Sequence, residues 1–294
     1  MAIAEHPLLG LGYSRPVSAR SFLRLTADET TNAQADVAQE IPVALVYNAR
    51  PHVVVMASPV DLEDLGVGFT LTERIADKPD EIERIELVRA SHGAELQIQI
   101  PDHRAQRVQE RARGLVSRTG CGLCGIETIN DMMHMPTPVG DTLRVDRAAL
   151  WRAGAELSAK QELNRTTNTI HAAGWALPDG TMRIVREDVG RHNALDKVFG
   201  ALARERLDPA SGFVVVTSRA SYELVQKAAT CGVELLAAIS RPTGLAIRFA
   251  ESAGVTLVGL LRGNTANVYT GLQRIGEGGN SQLTDSSRPG THSP

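Results

Sequence analysis

Cysteine and aromatic residues are scarce in this chain. Three cysteines among 294 residues, Cys121, Cys124 and Cys231, are too few and too odd in number for a disulfide framework. No stretch reaches the roughly 18 uninterrupted apolar residues of a membrane helix, and residues 1–20 lack the apolar core of an export signal. The cytoplasm is the expected compartment, with no membrane partner. Charge of one sign is lacking too. With 31 Lys plus Arg against 34 Asp plus Glu, the net charge of -3 excludes a whole-surface nucleic-acid binder, and no nucleic-acid partner is expected. Lysine itself is rare, at 4 of those 31 cations (Lys78, Lys160, Lys197 and Lys227). The other 27 are arginines, whose planar guanidinium suits phosphate better than an ammonium does. Neither a Walker-type loop nor a GxGxxG after a strand is present.

What is present divides into two units. Residues 1–40 mix Pro, Ser, Arg and Thr without periodicity and read as a flexible arm. A small α+β domain is expected over 41–113. Strands at Ile41–Tyr47 and Pro51–Ala57 are followed by a helix opening at Ser58-Pro59, a hairpin over 82–100 and a polar helix from Asp102 to Leu115. Residues 114–140 break the pattern with Gly, Thr, Met and Pro around two cysteines and form the junction. From 141 to 275 a hairpin on Pro178-Asp179-Gly180 precedes alternating helices and strands. The strands are nearly continuous apolar runs, which predicts a mostly parallel, helix-covered sheet. Residues 276–294 read as a disordered tail. The fold class is therefore α/β.

Three successive strands end alike, in Thr217-Ser218-Arg219, Ile239-Ser240-Arg241 and Leu261-Arg262-Gly263-Asn264. Ligands of open α/β sheets bind outside the carboxyl ends of the strands, where helix N-termini present free N–H groups to anions. Arginines repeated at that edge point to a pyrophosphate or nucleotide pocket. The run Arg186-Glu187-Asp188-Val189-Gly190-Arg191-His192-Asn193 fits either a ligand-facing cluster of Asp188, Arg191 and His192 or a salt-bridged structural turn. In Thr119-Gly120-Cys121-Gly122-Leu123-Cys124-Gly125, glycines around both thiols predict an exposed loop, poorly ordered without a partner. Its chemistry is open between zinc binding, a dithiol couple and persulfide carriage. Zinc would need ligands from elsewhere, since no second CxxC follows, and no intrinsic metal is expected.

These residues, with Tyr222, Glu223, Lys227 and Asn267-Val268-Tyr269-Thr270, together resemble the formate dehydrogenase accessory sulfurtransferase family, FdhD, over roughly Pro42 to Ile275. The resemblance implies an α+β amino-terminal domain, a cytidine-deaminase-like three-layer αβα carboxyl-terminal domain, and a homodimer. It implies a carrier that takes sulfane sulfur from a cysteine desulfurase and passes it to bis-molybdopterin guanine dinucleotide before that cofactor enters formate dehydrogenase. On this pattern Cys121 matches the persulfide cysteine, with Cys124 beside it. Leu260, Leu261, Arg262, Gly263, Asn264 and Thr265 match the cofactor-binding segment, joined by Ser218, Arg219, Arg191 and His192. The chain departs from the family at Thr167-Asn168-Thr169, where Thr-Gly-Gly is usual, and at Arg74, where Gly is usual. Deaminase chemistry is not expected, because His171-Ala172-Ala173 lacks the proton-shuttling Glu and no Pro-Cys-x-x-Cys follows. The alternative is a guanine-nucleotide or molybdopterin-binding assembly protein whose CxxC is structural or metal-binding.

Overall fold

The computed structural model describes residues 15–90, 92–113 and 137–276. Within the first unit, β3 (Ile41–Tyr47), β4 (Arg50–Ala57), β5 (Arg84–Ala90) and β6 (Gly93–Gln99) form a sheet in the order β4-β3-β6-β5. The β3–β4 turn is tight, with Asn48 and Ala49 both at positive φ (47° and 62°), which suits the strand twist of a hairpin. Helix α1 (Leu62–Thr72) covers the face that carries Leu45, Leu96 and Ile98, and α2 (Asp102–Arg113) follows. The helix expected at Ser58 begins only at Leu62. Ser58 instead turns to the second unit, its N–H on Asp188 and its hydroxyl accepting from the Val189 N–H.

The amino-terminal stretch corrects the sequence expectation. Residues 1–14 lie outside the described residues, but β1 (Val17–Leu25) and β2 (Thr30–Ala38) pair antiparallel along their whole length. Apolar alternation does not betray them, because nearly every side chain of both strands is exposed.

In the second unit, β7 (Val145–Asp146), α3 (Arg147–Ala159) and a short α4 (Glu162–Thr167) precede β8 (His171–Ala176) and β9 (Met182–Asp188). Then come α5 (Arg191–Arg204), β10 (Phe213–Val216), α6 (Tyr222–Thr230), β11 (Leu235–Ala238), α7 (Gly244–Ala253), β12 (Thr256–Arg262) and β13 (Thr265–Thr270). A final β14 (Ile275–Gly276) pairs with β7. The six-stranded sheet runs β13-β12-β11-β10-β8-β9. Val214 and Val216 face the helices α5, α6 and α7, whereas Phe213 and Val215 face α3, so three layers result. The sheet is not mostly parallel. Only β10–β11 and β11–β12 pair parallel, and the other three pairings are antiparallel. Apolar runs report burial on both faces and carry no information on strand direction, which is why β8 and β13 escaped that reading.

The two units meet through α1 and α5, which cross at paired glycines. A Cβ on Gly68 would lie 1.7 Å from the Asp196 carbonyl oxygen, and one on Gly200 would lie 1.8 Å from that of Asp64. Ion pairs frame the crossing. Asp64 accepts from Arg186 (2.8 Å) and Arg204 (2.5 Å), and the buried Lys227 holds Glu73 (2.6 Å) and Asp196 (3.0 Å). Burial opposes the Lys227 charge, but Asp196 and Glu73 outweigh it and hold its pKa above the usual range. After α1 the chain turns at Arg74 with φ of 57°, a conformation that favours glycine.

Gly200→Ala is expected to lower stability by about 3 kcal/mol, since backbone on the facing helix must shift. Arg74→Gly is expected to raise it by about 1 kcal/mol, because the strained left-handed backbone is relieved and the exposed Arg74 side chain makes no ion pair among the described residues. Thermal or urea unfolding of the two variants checks both signs.

Candidate functional site

Strand direction assembles the site. The parallel strands β10, β11 and β12 deliver Thr217-Ser218-Arg219, Ile239-Ser240-Arg241 and Arg262-Gly263-Asn264 to one edge of the sheet. The antiparallel β8 starts there, with His171 opposite Asp188, so β9 brings the turn Val189–His192 to the same edge. Hydrogen bonds join neighbouring turns in series. The Thr217 hydroxyl accepts from the Ala172 N–H (2.9 Å), the Thr243 N–H donates to Ala220 (3.0 Å), and the Leu260 N–H donates to Ser240 (3.0 Å). Arg262 Nε reaches across to the Ile239 carbonyl (3.1 Å). Between α3 and this edge lies an open cleft of about 270 Å³, lined in part by Trp151, Ile239, Arg262 and Gly263.

The charged run Arg186–Asn193 divides into two parts. Arg186 pairs with Asp64, Glu187 caps α4 through the Leu163 and Asn164 N–H groups, and Asp188 is fully buried on Lys197 at 2.6 Å. Asp188 is therefore a structural residue, and a ligand-facing role for it is corrected. Its carboxylate also accepts from the Ser58 and Gly190 N–H groups and from Asn193 Nδ2, which fixes the turn in place. Arg191 and His192 are left at the partly exposed start of α5. His192 Nε2 lies 2.8 Å from Glu223 Oε2, and the Ser221 hydroxyl donates to the same oxygen at 3.2 Å. The two helix starts are thereby tied together. The bond to His192 holds the Glu223 carboxyl below its usual range.

Anion chemistry suits this edge. The residues preceding α5 and α6, Gly190 and Ser221, make no side-chain cap, and helix N-termini attract anions through their dipoles. Arg219 is exposed and makes no side-chain hydrogen bond or ion pair among the described residues. Ser218 is buried, its hydroxyl on the Arg219 carbonyl. In the segment 260–265, Leu260 adopts φ of 52° at an irregularity between β12 and β13, and Leu261 points into the core. Arg262, Gly263, Asn264 and Thr265 are exposed.

Sequence reasoning passed over His171 as a site member. Its place opposite Asp188 emerges only from the β8–β9 register, and burial, then the nearby Arg191, lower its pKa. Asn168 takes the left-handed conformation (φ 54°) where glycine is usual in the family pattern, while Thr169 does not. Cys121, Cys124 and the ordering expected of their loop lie outside the described residues. Among the described residues no group of three His, Cys, Asp or Glu side chains could hold a metal ion, and no helix is long and apolar enough to cross a membrane.

Comparison with known proteins sets this geometry in a family. The profile of the FdhD/NarQ family matches residues 38–276. A sulfur carrier protein FdhD from Xanthomonas campestris pv. campestris is 48% identical over 262 residues, covering 89% of this chain and 93% of its own. The protein of the same description from Bordetella petrii is 46% identical over 239 residues, covering 81% and 86%. Among solved structures, a formate dehydrogenase accessory protein from Desulfotalea psychrophila superposes with a TM-score of 0.73 at 24% identity, over 88% of this chain and 99% of that one. That likeness shows the fold of the mixed α/β architecture, and the extent of the profile match and the identity to the curated relatives show more: the chain belongs to the FdhD/NarQ family.

Proposed function

We propose that the chain is a cytoplasmic sulfur carrier that accepts sulfane sulfur on Cys121 from a cysteine desulfurase and transfers it to bis-molybdopterin guanine dinucleotide, in the maturation of formate dehydrogenase. The relatives described as sulfur carriers support the first half of this reading. The observation that carries the second is the sheet edge, where Arg191, Arg219 and Arg262 stand beside two uncapped helix starts. A guanine dinucleotide brings diphosphates, and planar guanidinium groups with the backbone N–H groups of helix starts recognise them by charge-assisted hydrogen bonds. Leu260 and residues 262–265 line the path of the cargo, with Leu261 and Ser218 packed behind them, and His192, steadied by Glu223, presents its ring there.

Sulfur acceptance follows thiol exchange. The Cys121 thiolate attacks the terminal sulfur of the desulfurase persulfide, the S–S bond breaks, and its electron pair leaves on the desulfurase cysteine. The product is a persulfide on Cys121, and this is the sulfurtransferase activity proposed. Cys231 is unsuited to the step. Burial, and then the neighbouring Asp196, push its thiol pKa upward, so its thiolate is disfavoured.

Cys121→Ala is expected to abolish persulfide labelling by a cysteine desulfurase, and Cys231→Ala to leave it intact. Equal labelling of the Cys121→Ala protein would sink the assignment. For the cargo pocket, Arg219→Ala and Arg262→Ala should each weaken a guanine nucleotide about tenfold or more, because a hydrogen bond to a charged group contributes roughly 1.5–3 kcal/mol. Calorimetry finding unchanged affinity in both variants would place the nucleotide elsewhere.

A further inference from the structure

The hairpin β1–β2 has no core of its own. Two strands alone are at best marginally stable in water, yet all nine residue pairs of this ribbon are in register. It leaves large apolar side chains in solvent, with Leu23 63% and Leu25 74% exposed. On one face Phe22 stands between Arg20 and Arg24, and the Arg24 guanidinium lies 5.9 Å from the Phe22 ring centre. Neither arginine has an ion-pair partner among the described residues. Only Gln39 and Glu40 separate this ribbon from β3.

A complementary surface exists on the same chain. The β3–β6 sheet turns one face to α1, and on its opposite face the register aligns Val54, Ala44, Glu95 and Val88 in one row. Val54 is 62% exposed there, and Met56 and Val88 are exposed as well. Glu86 and Gln97 occupy the next row. Glu86 pairs with Arg84 at 2.7 Å and Glu95 accepts from the Gln97 amide, so this face joins its apolar row to two carboxylates and one arginine, whereas the ribbon face is apolar with two unpaired arginines among the described residues. Because one chain carries both halves, two copies satisfy each other reciprocally and close the assembly.

We propose that β1–β2 is an exchange arm that docks on the outer face of the four-stranded sheet of a second copy, Phe22 against the Val54–Val88 row, Arg20 and Arg24 against Glu86 and Glu95. The interaction is independent of the sulfur chemistry. Sedimentation equilibrium of the full chain tests it with two charge-reversed proteins, R20E/R24E and E86K/E95K, each first checked for native circular dichroism. Each alone opposes like charges in both contacts and is expected to dimerise at least about tenfold more weakly than the unaltered chain. Mixed in equal amounts they restore opposite charges in both contacts, and the dimer should return. A monomeric unaltered chain, self-association undiminished by the reversals, or a mixture that stays dissociated would each overturn the proposal. Should either reversed protein fail to fold, an interchain disulfide between Phe22→Cys and Val88→Cys decides, its formation supporting the arm and its absence overturning it.

Discussion

The buried pair Lys197–Asp188 is the constraint on which the rest of the structure depends. Both side chains are wholly excluded from water, where an unpaired charge would be severely penalised. Every polar capacity is met. Lys197 Nζ donates to the Ser58 and Glu187 carbonyls and to Asp188. Asp188 receives, besides Lys197, the Ser58 N–H, the Gly190 N–H and the Asn193 amide. Because Ser58 belongs to the first unit and Asp188 to the second, the pair fastens the two together. It also sets the exit of β9, and with it the point at which Arg191 and His192 leave the protein surface. A buried ion pair is weak evidence of stability gained, but here its geometric effect is explicit.

The charged residues thus divide by task. Two of the four lysines, Lys197 and Lys227, are spent inside, between α5 and the elements of the first unit, and Lys160 holds Glu156 and the Met182 carbonyl. Among the arginines, Arg186, Arg204 and Arg274 are consumed by buried carboxylates, whereas Arg191 and Arg219 stand at the sheet edge without such partners among the described residues. An excess of arginine in the composition does not distinguish these roles. Placement at a strand's carboxyl end does, because nothing acidic is built into the helix starts that follow Gly190 and Arg219 except Glu223, which is engaged by His192.

Much of this was legible in the residues. Apolar runs located β10, β11 and β12, and the repeated Ser-Arg endings fall at one edge of the sheet, since parallel strands separated by helices must end together. Four things were hidden. The strands of the amino-terminal hairpin carry no buried face, so period-two alternation had nothing to mark. Strand direction in β8 and β13 depends on pairing, which apolar content does not encode. The roles within Arg186–His192 depended on partners over 100 residues away, Asp64 and Ser58, which no local pattern names. The glycine pair Gly68 and Gly200 was equally silent, because close helix approach is a property of two segments and each looks ordinary alone.

The electrostatics of the edge also explain its choice of residues. A histidine near its ordinary pKa changes charge across the physiological range, which would make cargo affinity pH-dependent. At His171, burial and then Arg191 lower the pKa, which disfavours the charged ring. His192 Nε2 is held by the Glu223 carboxylate at 2.8 Å. On the proposed function, the positive charge offered to a ligand comes from guanidinium groups and helix N-termini. On that reading, such an edge offers a diphosphate positive charge that does not vary with pH.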